Sequence, residues 1–131
     1  MNKINKNFLK SSHHIANLKL CSIRLINNCK FPWIILIPNK KKKTDITELN
    51  SKDQILLMKE IVFCSKIMKK KFKTSKLNVE KIGNIVSQLH IHIIARSKND
   101  STWPLSVWVV KGKNYTKKSL EVVINKLKKS F

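Results

Sequence analysis

The sequence predicts an α+β domain: a mainly antiparallel sheet with one long helix and a C-terminal helix. Three observations carry this expectation. Apolar runs of strand length at 18–28, 31–38 and 86–96 are separated by polar or turn-forming residues. A single sustained helical pattern lies between 52 and 72, and a shorter amphipathic one closes the chain. Locally connected strands grouped around one helix give an α+β domain rather than alternating β–α units.

Taken in order, residues 1–12, "MNKINKNFLKSS", are polar and basic without a sustained period, which predicts a loose or partly helical arm. "LKLCSIRLINN" alternates apolar and polar residues with one slip near Cys21, which reads as a strand pair or a bulged strand. "FPWIILIP" is a buried strand closed by Pro38, and Lys40–Lys43 form a solvated loop. Ser51 and Gln54 have capping-box spacing, and Asp53 sits favourably in the first turn of the long helix. Ile55, Leu56, Ile61, Val62, Met68 and Phe72 supply its apolar face, broadened by Leu57, Phe63 and Ile67, and lysines 69–71 suit its C-terminal end. "KLNVEKIGN" reads as a short strand ending near Gly83, "VSQLHIHIIAR" as a further strand, and "SLEVVINKLKKSF" as the terminal helix. The domain limits that follow are an arm at 1–12, a body at 13–112 and the C-terminal segment at 113–131.

With 131 residues and 42% hydrophobic content, the chain is expected to bury one core, which excludes a disordered polycation. No stretch has a signal-peptide pattern, and "FPWIILIP" is too short to cross a bilayer. Cys21, Cys29 and Cys64 lack CxxC spacing and fit free thiols in a reducing compartment. A soluble cytoplasmic protein without membrane contact is expected. The formal charge of +21 would suit a polyanionic partner. Yet only Arg24 and Arg96 are arginines, and phosphate or base recognition usually enriches that bidentate side chain. A lysine surplus alongside abundant Ile and Asn fits compositional drift, so nucleic acid is a possible but not the favoured partner.

The histidines carry the chemistry. In an extended strand Gln88, His90 and His92 share one face, with Leu89, Ile91 and Ile93 on the other; alternate residues stand roughly 7 Å apart. Two imidazoles on one face can be half-exposed polar residues and nothing more. A metal is the other reading, but an HxH pair gives zinc two ligands where it wants three or four, and no spacing recommends His13, His14 or Cys21 as the rest. No metal or cofactor is expected.

"QLHIHII" resembles the histidine-triad (HIT) motif, His-φ-His-φ-His-φ-φ with φ apolar. The segments "RLINNCKFPWIILIP", "LNSKDQILLMKEI", "KLNVEKIGNIVSQLHIHIIAR" and "STWPLSVW" follow in the order of a bacterial branch of that superfamily, in which glutamine often takes the first motif position. The resemblance covers roughly 14–110. It implies an antiparallel sheet with a long helix, a homodimer, and a nucleotide phosphohydrolase or nucleotidyl transferase acting on phosphoramidate or dinucleoside polyphosphate substrates. It assigns the nucleophile to His90, which would form a nucleotidyl-imidazole at the α-phosphorus, and a phosphate-facing role to His92. Gln88 departs from the full triad: an amide exchanges hydrogen bonds but shuttles no proton near neutral pH. The resemblance further places Asn28 at the ribose, Asn78 near the phosphate and leaving group, and Gly83 and Asn84 in a turn whose amides face phosphate. Glu80 stands where the branch has glycine, and Ser106 where its tryptophan element has a second proline. Trp33, Trp103 and Trp108 could stack on a base or seal a dimer, or pack in the core. The alternative is a non-catalytic nucleotide sensor or a basic nucleic-acid-associated protein, in line with the changes at Asn28, Glu80 and Gln88.

Overall fold

A computed structural model describes residues 3–131 of the chain. Five strands form one antiparallel sheet in the order β1-β2-β3-β5-β4: β1 is Ser12–Asn17, β2 Cys21–Ile26, β3 Trp33–Pro38, β4 Lys76–Glu80 and β5 Ile91–Arg96. The long helix α2, Ser51–Lys71, lies between β3 and β4 in sequence; α1, Lys6–Ser11, opens the described chain and α3, Lys117–Lys128, ends it. The α+β expectation holds.

Alternation along the strands separates two environments. Ile91, Ile93 and Ala95 of β5 join Ile34, Leu36, Ile23 and Leu25 in the core under α2, where Leu57, Cys64 and Met68 meet Leu127 of α3. The opposite face carries Trp33, Ile35, Ile37 and Ile94 with Phe8, Phe31 and Val107. Most of the buried polar strand residues, Ser22, Arg24, His92 and Arg96, are on this second face.

Several local expectations are sharpened or corrected. The arm, expected to be loose or partly helical, takes the partly helical form, with α1 capped by Asn5 and held by buried Phe8; residues 1 and 2 of that assignment lie outside the described residues. The strand pair runs from 12–17 to 21–26, and the slip near Cys21 is the hairpin turn, closed by the Leu18 N–H to the Cys21 carbonyl at 2.8 Å. The bulge lies instead in edge strand β1, between His14 and Ala16. Asn50, not Ser51, caps α2, accepting from the Asp53 N–H, while Gln54 Nε2 donates to the Leu49 carbonyl.

The buried stripe of α2 also differs. Ile55, Met58, Val62 and Phe63 point outward, and Glu60 is buried. Its two carboxylate oxygens accept the Leu20 and Cys21 N–H groups at 2.9 Å each, so a charge is drawn inside by backbone donors at the hairpin. Strand β4 stops at Glu80. Gly83 then turns with φ +75°, a conformation that suits glycine, and the next strand begins only at Ile91. Gln88 and His90 therefore precede the strand. No helix among the described residues is long and apolar enough to cross a membrane.

Candidate active site

A cavity of about 600 Å³ opens on the second face of the sheet beside His90 and His92. Its polar end is the pair of imidazoles with Gly83 and Asn84; Phe8 of α1, Ile26 of β2, Trp33 of β3 and Trp108 supply apolar wall. Trp108 sits in a single 3-10 turn, Val107–Val109, anchored by buried Val107. Three strands of the sheet thus contribute to the site, and two short helical segments add to its wall.

Hydrogen bonding fixes the two rings in different protonation patterns. His90 Nδ1 lies 2.6 Å from the Gln88 carbonyl. That oxygen can only accept, so Nδ1 carries the hydrogen and Nε2 keeps its lone pair. His92 Nδ1 lies 3.0 Å from Trp33 Nε1. An indole N–H can only donate, so Nδ1 accepts and Nε2 of the neutral ring carries the hydrogen. Cross-strand packing explains the second contact: Trp33 pairs with Ile94 and Ile35 with His92, which makes the indole a diagonal neighbour on the same face. The rings are 4.7 Å apart between centroids and nearly perpendicular at 74°.

Both imidazoles are held neutral. Burial lowers the pKa of His90, with the Lys81 charge adding to it and the Gln88 carbonyl opposing. Burial, and then the neighbouring His90, bring His92 down to about 4. Aromatic edges surround them: Phe8 meets His90 at 4.6 Å, and Trp33 and Trp108 meet His92 at 5.6 and 5.3 Å. One nitrogen lone pair and one N–H, side by side on the wall of a largely apolar cavity, can act as a nucleophile and as a donor to an anionic oxygen.

The other expected residues are placed elsewhere. Gln88 does not line the cavity: its Oε1 accepts the Asn5 N–H at 2.8 Å and its Nε2 donates to the Lys3 carbonyl at 2.9 Å. Asn28 is 8% exposed and holds two loops together, accepting from the Lys30 N–H at 3.1 Å and, more loosely, from Lys113 at 3.5 Å. Gly112 passes so close that an added Cβ would lie 3.0 Å from the Asn28 amide nitrogen. Asn78 accepts from Arg96 Nη1 at 2.6 Å, and Trp103 faces Arg96 in a different hollow of about 500 Å³. Of the eight expected residues, the cavity gathers His90, His92, Gly83 and Asn84.

Phe8 escaped the sequence reading because its helix is too short to show a period. Glu80 appeared only as a departure from a pattern. It pairs with His92 across β4 and β5, and its Oε1 accepts from Trp108 Nε1 at 3.2 Å, so it holds the indole that walls the site. Its Oε2 is buried without a hydrogen-bond partner among the described residues. Also among those residues, no group of three or more His, Cys, Asp or Glu side chains could hold a metal ion.

Comparison with known proteins gives this geometry a family. No curated protein matches the chain. The chain is similar to the crystal structure of a histidine triad protein from Sinorhizobium meliloti 1021, with 30% identity and a TM-score of 0.94 over 99% of this chain and 97% of that one. A histidine triad protein from Marinobacter aquaeolei VT8 gives 32% identity and a TM-score of 0.94 over 99% and 96%. The Plasmodium falciparum diadenosine triphosphate hydrolase shares the fold, at 22% identity and a TM-score of 0.63 over 96% and 77%. The HIT domain family matches residues 8–99, a span that runs from the helix walling the cavity to the end of the histidine strand. By that match and by the whole-chain similarity of its structure, the protein belongs to the histidine-triad (HIT) family.

Proposed function

We propose that this protein is a nucleotide phosphohydrolase or nucleotidyl transferase in which His90 attacks an α-phosphorus. The observation that carries the reading is the bond from His90 Nδ1–H to the Gln88 carbonyl, which leaves Nε2 as a lone pair on a ring lining the cavity. Attack forms an Nε2–P bond and breaks the bond from phosphorus to the leaving group, which departs with the electron pair and takes a proton from solvent. Water, or another acceptor, then cleaves the P–N bond and regenerates the imidazole. His92 Nε2–H donates to a phosphoryl oxygen as charge builds, and the backbone amides of Gly83 and Asn84 offer further donors. Phe8, Ile26 and Trp33 form the apolar slot for the nucleoside.

The active form is read as a homodimer. Strand β4 is a sheet edge with Val79 half exposed, and Ile55, Met58 and Val62 form an outward apolar stripe on α2. Pairing of two β4 edges with these faces covered would remove both liabilities.

The deciding experiment incubates the protein with adenosine 5′-phosphoramidate and dinucleoside polyphosphates, comparing wild type with His90→Ala and following intact mass for a nucleotidyl adduct. Turnover and an adduct that both vanish in the variant are expected. Equal rates in the two proteins would remove His90 from the chemistry, and tight binding without turnover would leave a nucleotide sensor.

A further inference from the structure

We propose that Gln88 is a positioning residue that buckles the N-terminal segment onto the body, so that α1 keeps Phe8 against the His90 ring. The inference rests on the proposed reaction only where activity is the readout.

The Gln88 amide is used at both ends by the backbone of one short segment, accepting from the Asn5 N–H and donating to the Lys3 carbonyl. This is the pairing that a neighbouring strand would give. Asn5 is also where α1 begins: its Oδ1 accepts the Asn7 N–H at 2.8 Å and its carbonyl the Phe8 N–H at 3.0 Å. Gln88 therefore holds the helix by its cap. The far end is held separately, since Ser12 Oγ donates to the Phe8 carbonyl and accepts from Arg24 Nε. A six-residue helix has no standing of its own in water, so these two ties, with the burial of Phe8 between them, keep it in place.

Between the ties sits Phe8, 5% exposed, with its ring 4.6 Å from that of His90 at 66°. The groups facing His90 are the Phe8 ring from α1, His92 from β5, and the Gln88 carbonyl and the Lys81 charge from the intervening loop. Only the Phe8 ring depends on the buckle. Releasing the segment would admit water on that side and leave the carbonyl bond intact. The first position of the motif would thus act on the nucleophile through the arm.

The test compares wild type, Gln88→Ala and Gln88→Glu by amide hydrogen exchange over residues 3–11 and by NMR titration of His90. Gln88→Ala should speed exchange in that segment by about tenfold or more, with β3 and β5 unchanged, and should move the His90 midpoint up towards its ordinary value. Gln88→Glu keeps the acceptor for Asn5 and loses the donor to Lys3, so it should fall between. With a turned-over nucleotide, the acid limb of kcat/KM should move with the His90 midpoint. Gln88→Ala should also add little in a Phe8→Leu background. Unchanged exchange would overturn the proposal. So would a loss of kcat with an unmoved acid limb that is fully additive with Phe8→Leu, because Gln88 would then act on substrate directly. If wild type turns over no nucleotide, the proposed reaction fails while exchange and titration still decide the buckle.

Discussion

The two ends of β5 bury polar side chains on the same face of the sheet and treat them in opposite ways. At one end Arg96, 2% exposed, spends its guanidinium on Asp100, the Asn78 amide, Thr102 and the Leu105 carbonyl. Asp100 in turn accepts backbone N–H groups from Ser97, Thr102 and Trp103, and Arg96 holds its pKa down to about 2. At the other end His90 and His92 are just as buried, but each has one nitrogen bonded and the other left over beside a cavity. A buried polar network with every group satisfied is architecture. A buried group with a spare lone pair facing a hollow is left able to act on a ligand.

The largest separation should come from removing one group at each end. His90→Asn should cut turnover on the order of 10⁴-fold and leave the melting temperature nearly unchanged, as measured by steady-state kinetics and thermal unfolding. Arg96→Met should do the reverse, costing about 3 kcal/mol of stability by leaving the Asn78 amide, the Leu105 carbonyl and half-buried Asp100 without their guanidinium partner, with kcat per folded molecule retained. If both variants lost activity and stability together, the division along β5 would be wrong.

Acid should separate the ends next, because both lose stability as pH falls but in different windows. His92 has a folded pKa near 4 against 6.5 unfolded, so its contribution is complete above 6.5 and drains away down to about 4. The expected loss is roughly 3 kcal/mol. Asp100 is depressed from 3.8 to about 2, so its share is complete above 3.8 and is lost only below that. Urea unfolding across this range should show two steps, and His92→Gln should flatten the upper one alone.

The smallest effect sharpens the chemistry at the histidine end. Trp33→Phe removes the donor to His92 Nδ1, so that ring regains its tautomeric freedom. About a tenfold drop in kcat/KM is expected, with a new mixture of His92 nitrogen shifts by NMR. An unchanged tautomer would mean that other contacts fix the ring.

What could be read in advance follows the same physics. Strand β3 was legible because it is apolar throughout, and α2 because its pattern outlasts any strand. Strand β1 was not, since "SHHIAN" owes its place to pairing with β2 rather than to its own composition. The inner stripe of α2 was misjudged because Glu60 is buried by backbone donors forty residues away in sequence, at the hairpin. At the site, alternation and family resemblance located His90 and His92. They could not reveal the Trp33 contact, which needs the β3–β5 register, nor that Gln88 lies ahead of the strand and turns to the arm. Asn28, Asn78 and Trp103 carry plausible side chains, yet tertiary neighbours claim them for loops and for Arg96.

The kink in β1 limits how far copies of this sheet can grow. A strand with an extra residue between His14 and Ala16 offers a poor template to a newcomer, whereas β4 pairs regularly with β5 along its length. In the proposed homodimer, joining through β4 would use up the good rim in both molecules and leave only crooked ones outside. In such a pair addition would stop at two, and the irregularity at the opposite edge of the sheet from β4 would guard the protein against running on into a fibre.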